Sequence, residues 1–179
     1  MTPATADLRY PIGKFQRPES ITPETRAAYI ADIAALPNNL TTAICGFTDE
    51  QFDTPYRDGG WTVRQVVHHL ADSHVNAYAR LRHALTEDEP LIKTYQEALW
   101  AELPDARTEP PTVSLLLLEA LHRRWTVLLN SIEPAAFARV ARHPENGPMT
   151  VDILTALYAW HSRHHVAHIN NLAARLNWR

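Results

Sequence analysis

The sequence predicts an all-α fold, a four-helix bundle behind an extended N-terminal arm, and three observations lead there. Glycine, which costs about 1 kcal/mol inside a helix, is confined to Gly13, Gly46, Gly59, Gly60 and Gly147, so the joints are few. The 13 prolines leave three proline-free stretches, 56–89, 112–133 and 149–179, each long enough for several helical turns. Within them apolar residues recur with the 3.6-residue period of an amphipathic helix, and no stretch alternates as a half-buried strand would.

Residues 1–21, with Pro3, Pro11, Pro18 and few periodic apolars, read as an extended arm that lies over the domain or reaches a neighbour. Residues 22–179 read as one helical domain. Thr22-Pro23-Glu24 supplies an N-cap, a proline at the first helical position and an acid in the first turn. The first helix therefore starts here and runs to about Cys45, stopped by Gly46. Pro37 falls inside it and is expected to kink or split it, because proline removes a backbone hydrogen bond. Thr48-Asp49-Glu50-Gln51 is a capping box for a short turn, and Tyr56-Arg57-Asp58-Gly59-Gly60 is a turn. A further box, Thr62-Val63-Arg64-Gln65, opens a helix toward Leu85 with Val63, Val66, Val67, Leu70, Ala77, Tyr78 and Leu81 at helical spacing. A weaker helix is expected from about Thr94 to Leu103 and a strong one from Thr112 to Ile132, followed by a loop holding Pro134, Pro144, Gly147 and Pro148. The last helix opens at Thr150 and carries Leu154, Leu157, Tyr158, Ile169, Leu172 and Leu176. Four long amphipathic helices make a bundle.

At 179 residues, 45% hydrophobic and 21% charged, the chain has the composition of one globular domain with a real core. A formal charge of −3 without a block of like charges argues against a nucleic-acid partner. Cys45 is alone, which excludes an internal disulfide or a multi-cysteine zinc ribbon, is compatible with the cytoplasm, and leaves nitrogen and oxygen as donors to any metal. Apolar runs such as Leu115 to Leu118 fall far short of a membrane span, and Met1 to Tyr10 has no signal-peptide core, so no membrane partner is expected.

Ten histidines stand out, and four crowd into His161-Ser162-Arg163-His164-His165-Val166-Ala167-His168. At about 100° per residue, with Leu154 as zero, His161 falls near −20° and His165 near +20°, in the middle of the apolar stripe. His168 falls near −40° and His164 near −80°, toward its edge, and these two form a second four-spaced pair. Imidazoles four residues apart can share a metal, which relieves two polar rings that would otherwise be costly to bury side by side. The plainer alternative is a pair of core histidines satisfied by hydrogen bonds. A catalytic zinc takes three protein ligands and a structural one four, so another helix must contribute. The second long helix offers His68, His69 and His74. Counted from Val63, His74 falls near +20°, His69 near −120° and His68 near +140°, so periodicity favours His74 without settling the choice. Asp72 and His122 are candidate catalytic groups, with a solvated carboxylate and a packing histidine as their plainer readings. Trp61, Trp100, Trp125, Trp160 and Trp178 could line a pocket, although most are expected in the core.

Three segments now bear on one another: Tyr10-Pro11-Ile12-Gly13, the block from Asp53-Thr54-Pro55-Tyr56 through Trp61-Thr62 and His68-His69-Leu70-Ala71-Asp72-Ser73-His74, and Trp160-His161 to His168. Together they resemble the YfiT-like metal-dependent hydrolases of the DinB superfamily, over nearly the whole chain. The resemblance implies a four-helix bundle, a homodimer, and one divalent ion per subunit, zinc or nickel, held by three histidines. Its first ligand is the histidine directly before leucine in the helix motif, here His69. The other two are the first and fifth positions of the last-helix motif, here His161 and His165. It agrees with periodicity on the last helix and selects His69 over His74 on the other, which makes His74 an ordinary core-facing residue worth on the order of 1 kcal/mol. Three ligands leave a position open, and a metal brings bound water toward a neutral pKa, so an enzyme acting on a small molecule is expected. The first reading is a metal-dependent hydrolase. The second is an S-transferase joining a low-molecular-weight thiol such as bacillithiol to an electrophile, as some members similar in fold and ligand set do. The third is a non-enzymatic protein in which the ion only ties helices together.

Overall fold

Four threonines set where helices start. The side chains of Thr22, Thr48, Thr62 and Thr150 accept from the backbone N–H groups of Thr25, Gln51, Gln65 and Ile153, satisfying donors that the first turn leaves orphaned. The computed structural model describes residues 7–178, so the first six residues of the predicted arm lie outside the described residues. The helices are α1 (Pro23–Ile44), α2 (Asp49–Phe52), α3 (Val63–Thr86), α4 (Glu97–Trp100), α5 (Pro104–Thr108), α6 (Pro111–Ser131) and α7 (Val151–Arg175). Strands β1 (Val140–His143) and β2 (Gly147–Thr150) form an antiparallel hairpin with Val140 opposite Thr150 and His143 opposite Gly147.

Helix α1 packs on α6 and α7, and α3 packs on the same two. The order around the bundle is therefore α1, α7, α3, α6, with the chain crossing one diagonal between α1 and α3 and the other between α6 and α7. This is the four-helix bundle that the periodicity predicts. Among the described residues no helix is long and apolar enough to cross a membrane.

Three local expectations are corrected. Pro37 does not split α1; its missing N–H frees the Ile33 carbonyl, which the His122 ring of α6 takes up at 2.6 Å. The expected loop after α6 instead holds a 3₁₀ turn at Pro134–Ala138 and the β1–β2 hairpin. Gly147, at φ +69°, supplies the left-handed residue at the hairpin turn. The hairpin is stitched to the segment before α4, with Ile92 N–H donating to the Arg142 carbonyl at 3.0 Å. Finally, the helix expected over 94–103 contracts to Glu97–Trp100, and Pro104 starts a new one.

Among the described residues the core comes in a small apolar cluster of Met149, Ile153 and Leu154 and two large ones. One gathers Ile33, Ala77, Leu81, Trp125, Leu129, Tyr158 and Ala159. The other gathers Leu36, Leu40, Leu70, Ala71, Leu118, Ile169 and Leu172. On every long helix the sequence passes from one to the other across a short interval, and on three of them that interval holds histidine: His74 on α3, His122 on α6, and His161 to His168 on α7. A polar layer thus crosses the middle of the bundle. The helix starts are also tied, since Arg26 of α1 grips Asp152 of α7 through two bonds of 2.6 and 2.7 Å.

Candidate metal centre

The histidine layer opens to solvent where α3 and α7 meet the arm. His69 of α3 and His161 and His165 of α7 each offer a ring nitrogen, and these atoms all lie within 4.8 Å of one another. His69 Nε2 and His161 Nε2 are 3.3 Å apart. With zinc–nitrogen bonds of about 2.0–2.1 Å, the edge of a coordination tetrahedron is about 3.3–3.4 Å, so this pair is spaced for one ion. Metal ligation needs neutral imidazoles, and burial provides them. It draws His69 down to about 4, with the nearby His164 and His168 adding to the effect. His161 and His165 are held well below the usual histidine range, again by burial first and by neighbouring rings second.

His161 and His165 sit one turn apart on the inward stripe of α7. His69 reaches the same spot although it lies off the stripe of α3, because α3 is buried on every side from Val63 to Ala71. The segment before α3 and the short helices after it form that extra cover. The Trp61 ring lies 4.6 Å from the His69 ring, and Gln65 Nε2 donates to the Ala101 carbonyl at 2.7 Å. His68 is occupied elsewhere: its Nε2–H donates to the Glu109 carbonyl at 3.0 Å, and Nδ1 accepts from the Ser114 hydroxyl at 2.7 Å.

His74, the choice of periodicity, is fully buried and lies outside the group of three donors. Its Nε2 is 3.1 Å from His161 Nδ1 and its Nδ1 is 3.0 Å from His122 Nε2. With both nitrogens engaged it is not an ordinary core-facing residue. His164, His165 and His168 form a second group of three, sharing His165 with the first. His168 Nε2–H donates to the Arg9 carbonyl of the arm at 3.2 Å, while its Nδ1 faces His165 Nδ1 at 3.4 Å.

The three-histidine group forms one wall of a cleft of about 420 Å³, which Tyr10, Tyr56, Trp61 and Trp160 line with aromatic surface and Arg9 and Arg57 with charge. Of the tryptophans, Trp125 is core, Trp61 and Trp160 line the cleft, Trp100 packs on Tyr95 and Trp178 on Phe47. Neither candidate catalytic group is among the residues lining it. Asp72 is half-buried, and burial followed by the nearby charge of Asp105 lifts its carboxyl to about 6. His122 lines instead a groove of about 640 Å³ between α1 and α6, on the far side of the bundle. The acid that does line the cleft is Glu97 of α4, its carboxyl held above the usual range by burial, with Arg80 opposing and Glu145 reinforcing. Sequence reasoning missed it because a one-turn helix has no stripe from which to place a side chain.

A four-helix bundle with diagonal connections and a cleft-side group of three histidines on its second and last long helices defines a class, and the sequence agrees: the chain belongs to the DinB superfamily, whose profile matches residues 32–169. A relative from Bacillus mycoides strain KBAB4 is 53% identical over 172 residues, covering 96% of this chain and 99% of the relative. Another, from Bacillus cereus strain ATCC 10987, is 54% identical with the same coverage, and both are provisionally named metal-dependent hydrolases. The solved structure of YfiT from Bacillus subtilis, described as a probable metal-dependent hydrolase with an unusual four-helix bundle topology, matches with a TM-score of 0.94. It is 48% identical in sequence, with 96% of this chain and 99% of that chain covered.

Proposed function

We propose that this chain is a metal-dependent hydrolase whose ion is held by His69, His161 and His165. The observation that carries the reading is the 3.3 Å separation of two Nε2 atoms of neutral imidazoles from different helices at the wall of an open cleft. Two such lone pairs face each other favourably only across a proton or a cation, and a third histidine stands beside them. Zinc, or nickel, suits a set of three imidazoles. When bound, such an ion supplies Lewis acidity, bringing water toward a neutral pKa and polarising a substrate oxygen.

The chain's own residues do the rest. Tyr56, Trp61 and Trp160 give the cleft flat apolar walls for the body of a small molecule, and Arg57 gives it a cation for an anionic end. Glu97 is a carboxylate of the cleft wall, placed to exchange a proton with a bound substrate, and its pKa is held above the usual carboxylate range. The exposed apolar residues Val113, Leu116, Leu117 and Val127 of α6 support a second copy of the chain as a partner, and sedimentation as a monomer would remove that part of the proposal.

The test loads the purified chain with zinc or nickel and follows consumption of a panel of activated esters and amides with and without an added low-molecular-weight thiol. Turnover without thiol, lost on chelation and lowered in Glu97→Gln, is the expected result. Consumption only with thiol would replace hydrolysis by S-transfer, and a chain that takes up no divalent ion would overturn both.

A further inference from the structure

The rings of His122, His74 and His161 form a continuous row, and its far end is a group that can only accept. His122 Nδ1 lies 2.6 Å from the Ile33 carbonyl, His122 Nε2 lies 3.0 Å from His74 Nδ1, and His74 Nε2 lies 3.1 Å from His161 Nδ1. At neutral pH an imidazole carries a single ring proton, and each of the two nitrogen–nitrogen contacts has room for only one. A carbonyl oxygen has no proton to give, so His122 must hold its proton on Nδ1 and leave Nε2 as an acceptor. His74 then meets an acceptor and must donate from Nδ1, which leaves its own Nε2 as an acceptor. His161 must donate from Nδ1 in turn, and its Nε2 is left bare, 3.3 Å from His69 Nε2.

We infer that His122 and His74 are positioning residues: they form a relay, anchored on the Ile33 carbonyl, that fixes His161 as its Nδ1–H tautomer with Nε2 free to ligate. Resting on the metal reading above only for its purpose, the relay is defined in the metal-free chain. Pro37 belongs to it. An ordinary residue four positions after Ile33 would donate its N–H to that carbonyl, whereas proline has none to donate, so the oxygen is open to His122. The row spans three helices, α6, α3 and α7, with its anchor on α1, so all four long helices set the orientation of one ligand. A hydrogen bond donated by a ligand's second nitrogen fixes ring orientation and raises basicity at the first. Free histidine favours its proton on Nε2, so three successive Nδ1–H rings are a signature that no unstructured or solvent-facing arrangement produces.

The test reads the tautomers directly, by long-range proton–nitrogen correlation spectra of the isotope-labelled, metal-free wild-type chain. Nδ1–H at His122, His74 and His161 is the expected result, and Nε2–H at His74 or His161 overturns the relay whether or not the chain binds metal. A second arm measures zinc affinity by competition with a chelating dye. His122→Leu removes the acceptor that orders His74 and should weaken zinc binding about tenfold or more. His122→Gln, whose amide oxygen can still accept from His74, should recover most of that loss. A folded His122→Leu chain that binds zinc as tightly as wild type overturns the proposal, as does a His122→Gln chain no better than the leucine variant.

Discussion

Mild acid should destabilise the metal-free chain, and His122 allows the effect to be sized. In the unfolded chain this ring has the ordinary pKa of about 6.5, while burial among α1, α3 and α6 draws it to about 4 in the folded state, against a small opposing effect of the Ile33 carbonyl. Between those values the unfolded chain carries a proton that the folded chain refuses. Stability is then lost as pH falls, by up to about 1.4 kcal/mol per pH unit for one proton. At pH 5 the loss from this ring alone is about 2 kcal/mol, and below pH 4 it levels off near about 3 kcal/mol. His69, His164 and His168 are also drawn to about 4, so they act in the same direction. A domain of this kind is stable by only about 5–15 kcal/mol, so the effect is large enough to read. Urea unfolding in the presence of a chelator, at pH 7 and pH 5, measures it. Wild type should lose about 2 kcal/mol more across that interval than His122→Gln, which has nothing to titrate there. Equal losses in the two proteins, or a stability that rises toward pH 5, would refute the reasoning.

Three substitutions probe other joints. His69→Ala leaves two imidazoles on one helix, so elemental analysis should find the ion lost while circular dichroism shows the bundle intact; about one retained ion per chain would exclude His69 as a ligand. His74→Ala opens a cavity and strands His122 Nε2 and His161 Nδ1, so it should cost about 3 kcal/mol in urea, and a cost below about 1 kcal/mol would mean that the two bonds are not made. Arg26→Ala leaves the Asp152 carboxylate, 18% exposed, without its two short bonds at the start of α7. A loss of about 3 kcal/mol is expected, and an unchanged thermal midpoint would place that pair among inconsequential surface contacts.

The long helices were legible because their ends are local chemistry. Thr22, Thr48, Thr62 and Thr150 cap within three residues, so neighbours in sequence carry the whole signal. The hairpin was not legible, because strands of four residues, one holding Pro148, give alternation too little length to show. The candidate site divides along a similar line. On α7 one stripe faces the core, and periodicity brought His161 and His165 together. On α3 periodicity placed His74 inward, where it is, yet it reports only a direction and not which ring that direction meets. His69 lay off the stripe by angle and became buried through Trp61 and the segment around Ala101, cover that no count along α3 could include. The resemblance, not the spacing, singles it out. The relay was invisible in principle, since it depends on a proline at 37 and a ring at 122 meeting at the carbonyl of 33.

The diagonal order of the bundle bears on how the chain is made. The most extensive helix contact is between α1 and α7, the first long helix with the last. Contacts so distant in sequence are slow to form, and none of them exists while synthesis proceeds from the N-terminus. Ile33, Leu36 and Leu40 of α1 emerge from the ribosome with their chief partner untranslated, and α6 covers only part of their face when it arrives. His161 and His165 lie on α7 as well, so the three-histidine group is assembled only after α1, α3 and α6 have been made. A chain truncated within α7 therefore leaves the apolar face of α1 uncovered, open to chaperones and proteases.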